Sequence, residues 1–266
     1  MDTERRESNG QAWNKSAYNA WSNRFGTPEK AAAKIAKDPL KRLEPLDQYI
    51  GDVKGKKVVN LLGSHGSKAV ALALLGADTT VIDISESNAA YARELADAAN
   101  VPLRYVVEDV LALPDAELTG DYDLVFTELG ILHYFTDLKP FFAVAAQLLK
   151  KGGKLVLQDF HPVSTKLISS QGKSQAVRKH KVTGDYFDES LETTEVAYSK
   201  FLPELRYANA EERAPFQVSL RKWTIGEIVT AIGSQGLWIQ QLVEEPHAEE
   251  FDRGIPKTFI ITAEKL

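Results

Sequence analysis

The chain contains no cysteine, which excludes disulfides, thiolate metal ligands and a cysteine nucleophile. It also has no long Lys/Arg block. With 32 basic and 37 acidic residues the formal net charge is −5, so the basic stripe that tracks a phosphate backbone is missing, and neither nucleic acid nor an anionic membrane is an expected partner. No run of about 18 apolar residues suggests a membrane span. The opening MDTERRESNG is charged and has no apolar segment behind it, so no secretory leader is expected and a cytoplasmic protein is the simplest inference. The five histidines are scattered, with no pair spaced along one helix, and no metal site is expected.

What is present starts with length: 266 residues, 44% of them hydrophobic, suffice for one large α/β domain with an attached cover. The stretch Lys57 to Ile84 organises the rest. Val58 to Leu62 is a short apolar run, polar only at Asn60, as in a strand buried on both faces of a parallel sheet. Gly63 and Gly66 break it, and Ser67 to Leu75 is small or apolar with strong helix propensity, ending at Gly76. Thr79 to Ile82 reads as a second buried strand. Asp83, with Ile84 beside it, follows Gly63 at the distance where a strand-helix-strand unit places a carboxylate against a ribose. Such a turn lets a ligand approach the backbone closely and leaves helical N–H groups free as donors. The same turn also occurs in α/β proteins that bind nothing there.

Around this unit the remaining elements fall into order. Residues 1 to about 12 are polar and expected to fray. Trp13 to Phe25 spaces Trp13, Ala17, Tyr18 and Trp21 on one face of a helix, which either docks on the core or forms an aromatic lid over a ligand. Further helical segments lead to Gly51, giving an expected N-terminal helical cap over residues 1–51 and a main domain over 52–266. Helix and strand then alternate: Glu86 to Asn100 behind Ser85 as N-cap, Leu103 to Val107, Tyr122 to Thr127, about Leu138 to Lys150, and Lys154 to Leu157. The pattern is suspended over about 163–221, a lid-like insertion in which Tyr186, Phe187 and Tyr198, with Phe160 before it, are candidates to line an acceptor pocket. It resumes with a helix from Ile225 to Ser234 whose Thr224 and Glu227 form a capping box, and ends in two strands, Leu237 to Val243 and Thr258 to Ala263. The connection between these two has no helical period, so they are expected to pair antiparallel.

That order predicts a three-layer, Rossmann-like, seven-stranded sheet, mostly parallel with an antiparallel last strand. It resembles the class I S-adenosylmethionine-dependent methyltransferases, notably the small-molecule enzymes with an N-terminal helical cap and an insertion after strand five. The likeness runs from about Trp13 to Leu266 and is strongest from Val58 to Gly153. The family's first loop reads acid-x-Gly-x-Gly-x-Gly; here Asn60, Leu62, Ser64 and Gly66 hold those places, with Gly63 displaced by one. The resemblance implies S-adenosyl-L-methionine as cofactor, Asp83 on the ribose, Asp109 and Val110 at the adenine, and Glu128 with Leu129 beside the methionine half. Gly63 and Ser64 would permit close approach, His65 would border the cofactor, and Tyr18 and Trp21 could cover the sulfonium.

Methyl transfer from a sulfonium is an in-line displacement, so alignment and exclusion of water are the protein's main tasks. His133 and His161, each just after a strand, are the candidate catalytic bases, with a satisfied loop histidine the alternative for both. The expected partner is a small-molecule methyl acceptor. Two other functions fit the residues: an NAD-dependent oxidoreductase, since GSHG with Asp83 also suits an adenosine ribose, and a non-catalytic S-adenosylmethionine-binding protein.

Overall fold

The computed structural model describes residues 2–170, 180–246 and 254–266. Part of the polar stretch after Val163 and part of the acidic connection before the last strand lie outside the described residues. The chain opens with helices α1 (Asp2–Asn14), α2 (Ala17–Phe25), α3 (Pro28–Lys37), α4 (Pro39–Leu43) and α5 (Asp47–Ile50). Then come β1 (Lys57–Leu61), α6 (Ser67–Leu74), β2 (Asp78–Asp83), α7 (Glu86–Ala98), β3 (Arg104–Val107), β4 (Tyr122–Glu128), α8 (Lys139–Leu148) and β5 (Leu149–Phe160). The insertion carries β6 (Ile168–Ser170), β7 (His180–Val182), β8 (Leu191–Glu195), α9 (Ala210–Arg213) and β9 (Gln217–Arg221). The chain closes with α10 (Ile225–Gly233), β10 (Leu237–Pro246) and β11 (Pro256–Lys265).

Seven strands form one sheet in the order β10-β11-β5-β4-β1-β2-β3. β1 pairs in parallel with β2 and β4, and β11 runs antiparallel to both β5 and β10. Alternation along β1 explains its near-continuous apolar run. Val58 faces the core shared with Leu124, Phe126 and the N-terminal helices, while Val59 and Leu61 face the opposite core with Phe141, Phe142 and Ile232 from α8 and α10. Ala17, Trp21, Leu43 and Leu46 belong to the first of these cores, so the N-terminal helices and the sheet share one apolar interior. The expected caps form: Ser85 Oγ accepts from Asn88 N–H, and Thr224 and Glu227 make a reciprocal capping box. Among the described residues no helix is long and apolar enough to cross a membrane.

Two N-terminal expectations are corrected. Residues 2–14 do not fray. They form α1, whose inward side is polar: Asn9 Nδ2 donates to Ser219 O at 3.1 Å and Asn9 Oδ1 accepts from Ser219 N at 2.9 Å, tying the helix to β9 as a strand would. Arg5 Nη1 donates to Tyr134 O at 2.9 Å. The helix expected from Trp13 to Phe25 is broken at Lys15–Ser16. The Tyr198 hydroxyl fills the break, donating to Ala12 O at 2.6 Å and accepting from Ser16 N–H at 3.1 Å.

Candidate active site

A cavity of about 570 Å³ lies at the carboxyl ends of β1, β2, β4 and β5, beside the point where strand order reverses around β1. This is where open parallel sheets bind ligands, and the volume falls in the range of about 300–1,000 Å³ typical of small-molecule sites. α1 and α2 roof it with Arg6, Gly10, Trp13, Trp21 and Arg24, and Phe160 and Thr258 wall its far side.

The loop after β1 forms the floor. Leu62 and Ser64 both have φ of +50° and Gly66 has φ of +68°. These are the three positions at which the resembled family carries glycine, so the left-handed backbone persists with leucine and serine in two of them. Side chains in this region cost about 1–2 kcal/mol each, and such strain gathers at ligand sites. Leu129, with φ of +43°, repeats the pattern after β4, and Leu62, Ser64 and Leu129 all line the cavity. Gly63 also lines the cavity, and a Cβ there would sit 2.5 Å from Asn60 Oδ1 and 2.8 Å from Val81 Cγ1. Its bareness lets the loop pack on the strands beneath.

Asp83 is held from three sides. Oδ1 accepts from Ser85 N–H at 2.9 Å and Asn88 Nδ2 at 3.2 Å, and Oδ2 accepts from Ser64 N–H at 3.0 Å. Trp21 Nε1 donates to Asn88 Oδ1 at 2.8 Å and so fixes the amide that fixes the acid. Burial pushes the Asp83 carboxyl above its ordinary value, opposed by these three donors. A carboxylate accepts roughly four hydrogen bonds, so acceptor capacity toward the cavity remains. Ile84 lies against α1, where a Cβ on Gly10 would come within 2.9 Å of Ile84 Cδ1. Asp109 caps the turn Val110–Ala112 by accepting from Leu111 N–H at 3.0 Å, and Arg6 Nε lies 3.2 Å from its other oxygen. Val110 is buried beside it and also lines the cavity.

On the other side Lys68, on the first turn of α6, forms a buried ion pair with Glu128 at the end of β4. His65 packs in a cluster of rings, its ring centroid 4.6 Å from Trp21 and 4.8 Å from Phe25, which are themselves 6.0 Å apart. Burial first, then the charges of Arg42, Arg24 and Lys68, bring its imidazole down to about 3, so it is neutral at physiological pH.

Comparison with known proteins gives this geometry a family. Residues 62–157 match the sequence profile described as a methyltransferase domain, which spans β1's end through β5. By sequence, residues 62–157 are a methyltransferase domain. Among relatives, a ubiquinone biosynthesis O-methyltransferase of Bordetella avium is 32% identical over 51% of this chain and 56% of its own length. The chain spans about half the length of the curated relatives it matches. An S-adenosylmethionine dependent methyltransferase from Mesorhizobium loti shares the fold with a TM-score of 0.61 at 22% identity, covering 88% of this chain and 99% of that one. Magnesium protoporphyrin IX methyltransferase from Synechocystis PCC 6803, solved with bound SAH, gives 0.56 at 16% identity and covers 100% of this chain and 99% of that one.

The cavity brings together Trp21, Gly63, Ser64, His65, Asp83, Ile84, Asp109, Val110, Glu128 and Leu129. Gly66 stands just behind the wall with its missing Cβ turned to Ala92, 2.7 Å away. Other expected residues lie elsewhere. Tyr18 points away from the cavity and donates to Glu94 Oε2 at 2.6 Å, a bond that pushes its phenol up to about 12. His133 lies outside the cavity, with Nδ1 donating to Arg221 O at 3.1 Å. His161 is buried with both ring nitrogens engaged: Nδ1 accepts from Val163 N–H at 3.1 Å, which leaves Nε2–H to donate to Glu244 at 2.6 Å. Neither histidine is placed to take a proton from an acceptor in the cavity. Tyr198 is fully buried between the helices it joins, and does not line a pocket.

Of the other aromatic candidates, Phe160 lines the cavity, the Tyr186 hydroxyl accepts from Ile225 N–H, and Phe187 is exposed. Trp21 is in the wall, with His65 stacked on its ring. The residues that sequence reasoning missed are Arg6, Gly10, Arg24, Arg42 and Lys68. Lys68 carried a usable signal, a lone cation in an otherwise small and apolar helix; Arg6 and Gly10 sat in the polar segment expected to fray, and Arg24 and Arg42 in segments read for apolar periodicity alone.

Proposed function

We propose that this protein is an S-adenosylmethionine-dependent methyltransferase that transfers a methyl group to a small-molecule acceptor by in-line displacement. The observation that carries the reading is the convergence of Asp83, Asp109 and Glu128 from three successive strand ends on one cavity floored by a left-handed glycine-position loop. Those residues fit the cofactor: a carboxylate with spare acceptor capacity for ribose hydroxyls, apolar walls at Ile84 and Val110 for a base, and a Lys68–Glu128 pair able to meet an amino acid's two charges. When bound, S-adenosylmethionine supplies an electrophilic methyl group on a sulfonium.

The chain's own residues then align and shield. Asp83, locked by Ser64, Ser85 and Asn88, fixes the sugar, and α1 and α2 keep water from the reacting atoms. His65 is too weak a base to take a proton at neutral pH, so its part is to build the wall. The acceptor enters along the side lined by Phe160 and Thr258, and its nucleophile reacts without a histidine base. The relative named for ubiquinone biosynthesis supports a small-molecule acceptor. Incubation with methyl-labelled S-adenosylmethionine and a panel of phenols, amines and carboxylic acids tests this. Label in any acceptor supports it; binding of S-adenosylmethionine with no transfer across the panel would favour a non-catalytic binding protein.

A further inference from the structure

Two guanidinium groups, those of Arg24 and Arg42, stand together at the cavity. Arg42, half-buried, donates from Nε and Nη2 to a neutral hydroxyl, Ser67 Oγ, with Nε at 3.0 Å. Arg24 lies over the rings of Phe25 and Phe201, at 4.7 and 4.5 Å from their centroids. Among the described residues neither has an acid within ion-pair distance, whereas the cavity's other roof and floor cations are paired, Arg6 with Asp109 and Lys68 with Glu128. Glu44, on the same wall, pairs with neither arginine.

Burial, then the charge of Arg42, lowers the pKa of Arg24, and both arginines act on His65. Arg42 feels Glu128 only at a distance, since the direct ion pair of that acid is with Lys68, and a planar anion that accepts from both arginines would compensate their partly desolvated charges. Lys68 and Glu128 already offer the cofactor's amino acid end an opposite charge for each of its own, which leaves this arginine pair for a second molecule.

We propose that Arg24 and Arg42 form an anion site that holds a carboxylate of the methyl acceptor, so that the acceptor is a small organic acid. The inference rests on the methyltransferase reading above. Its test uses the full chain saturated with S-adenosylhomocysteine and titrated calorimetrically with benzoate and with benzamide, its neutral analogue. The expected result is saturable benzoate binding at least tenfold tighter than benzamide, lost by about tenfold or more in each of Arg24→Met and Arg42→Met and largely regained in the lysine variants. The unmutated protein keeps the test decisive should a variant fail to fold.

Equal binding of benzoate and benzamide to the loaded protein would overturn the proposal while leaving the enzyme reading intact. So would a loss of S-adenosylhomocysteine affinity in Arg42→Met without loss for 5′-methylthioadenosine, which would assign the arginines to the cofactor's own carboxylate. Failure of the unmutated protein to bind S-adenosylhomocysteine at all would overturn the enzyme reading and this site with it.

Discussion

Replacing Ser64 by glycine is expected to stabilise the protein. Ser64 holds a left-handed backbone at φ of +50°, and its buried hydroxyl has no hydrogen-bond partner. Relief of the backbone strain contributes about 1–2 kcal/mol, and removal of an unsatisfied buried hydroxyl about 1–3 kcal/mol. Against these stands the extra unfolded-state freedom of glycine, about 0.5–1 kcal/mol. The smaller gains and the larger cost still leave about 1 kcal/mol in favour of glycine. The loop's main contacts survive, because Ser64 N–H to Asp83 and Tyr105 hydroxyl to Ser64 O both use the backbone.

For a chain of this size a gain of about 1 kcal/mol raises Tm by roughly 2–4 °C. Scanning calorimetry reads that directly, with Ser64→Ala as a control that removes the hydroxyl but keeps the strained φ. Glycine should exceed alanine, and alanine should exceed serine. A Tm at or below that of the parent for Ser64→Gly would refute the account of the loop as a family conformation held without the family's residue.

Other substitutions probe the rest of the site. Asp83→Ala should weaken S-adenosylhomocysteine binding roughly 10- to 150-fold by titration calorimetry, as expected for about 1.5–3 kcal/mol of charge-assisted hydrogen bonding. Trp21→Phe, which leaves Asn88 Oδ1 without its donor, should cost about 1 kcal/mol of stability in a urea melt; no change would show that the Trp21–Asn88–Asp83 chain is incidental. Gly66→Ala meets both a φ of +68° and Ala92 Cβ at 2.7 Å, and should destabilise by about 2–4 kcal/mol. His65 titrates near 3 when folded and near its ordinary 6.5 when unfolded, so the unfolded chain binds the extra proton between those values. Its contribution to stability is therefore complete above about 6.5 and lost as pH falls toward 3; His65→Phe should flatten the stability profile in that window, and an unchanged slope would contradict the assignment.

The sheet and its acid were legible because both follow from local rules. Apolar runs with β-branched residues read as buried strands, glycine breaks them, and Asp83 falls where the strand must end. The roof was not legible for the same reason. α1 turns Arg5, Arg6 and Asn9 inward to meet carbonyls and an acid, so it shows no apolar stripe, and a polar segment at a terminus reads as fraying. Tyr18 and Trp21 share a helical face by spacing, yet the cavity wall is narrower than that face and Glu94 on α7 draws Tyr18 away. His133 and His161 follow strand ends as a catalytic base should. Their ring directions are set by Arg221 O, Val163 N–H and Glu244, contacts 88, 2 and 83 residues away along the chain, and only one of the three is local.

The central claim is that one cavity takes S-adenosylmethionine with Asp83 on its ribose. Parallel calorimetric titrations of the purified protein with S-adenosylmethionine, S-adenosylhomocysteine and NAD, after mass spectrometry to exclude a co-purified ligand, test it most directly. Micromolar binding of the sulfonium compound and its product, without NAD, is the predicted result; binding of NAD alone, or of none of the three, would contradict it.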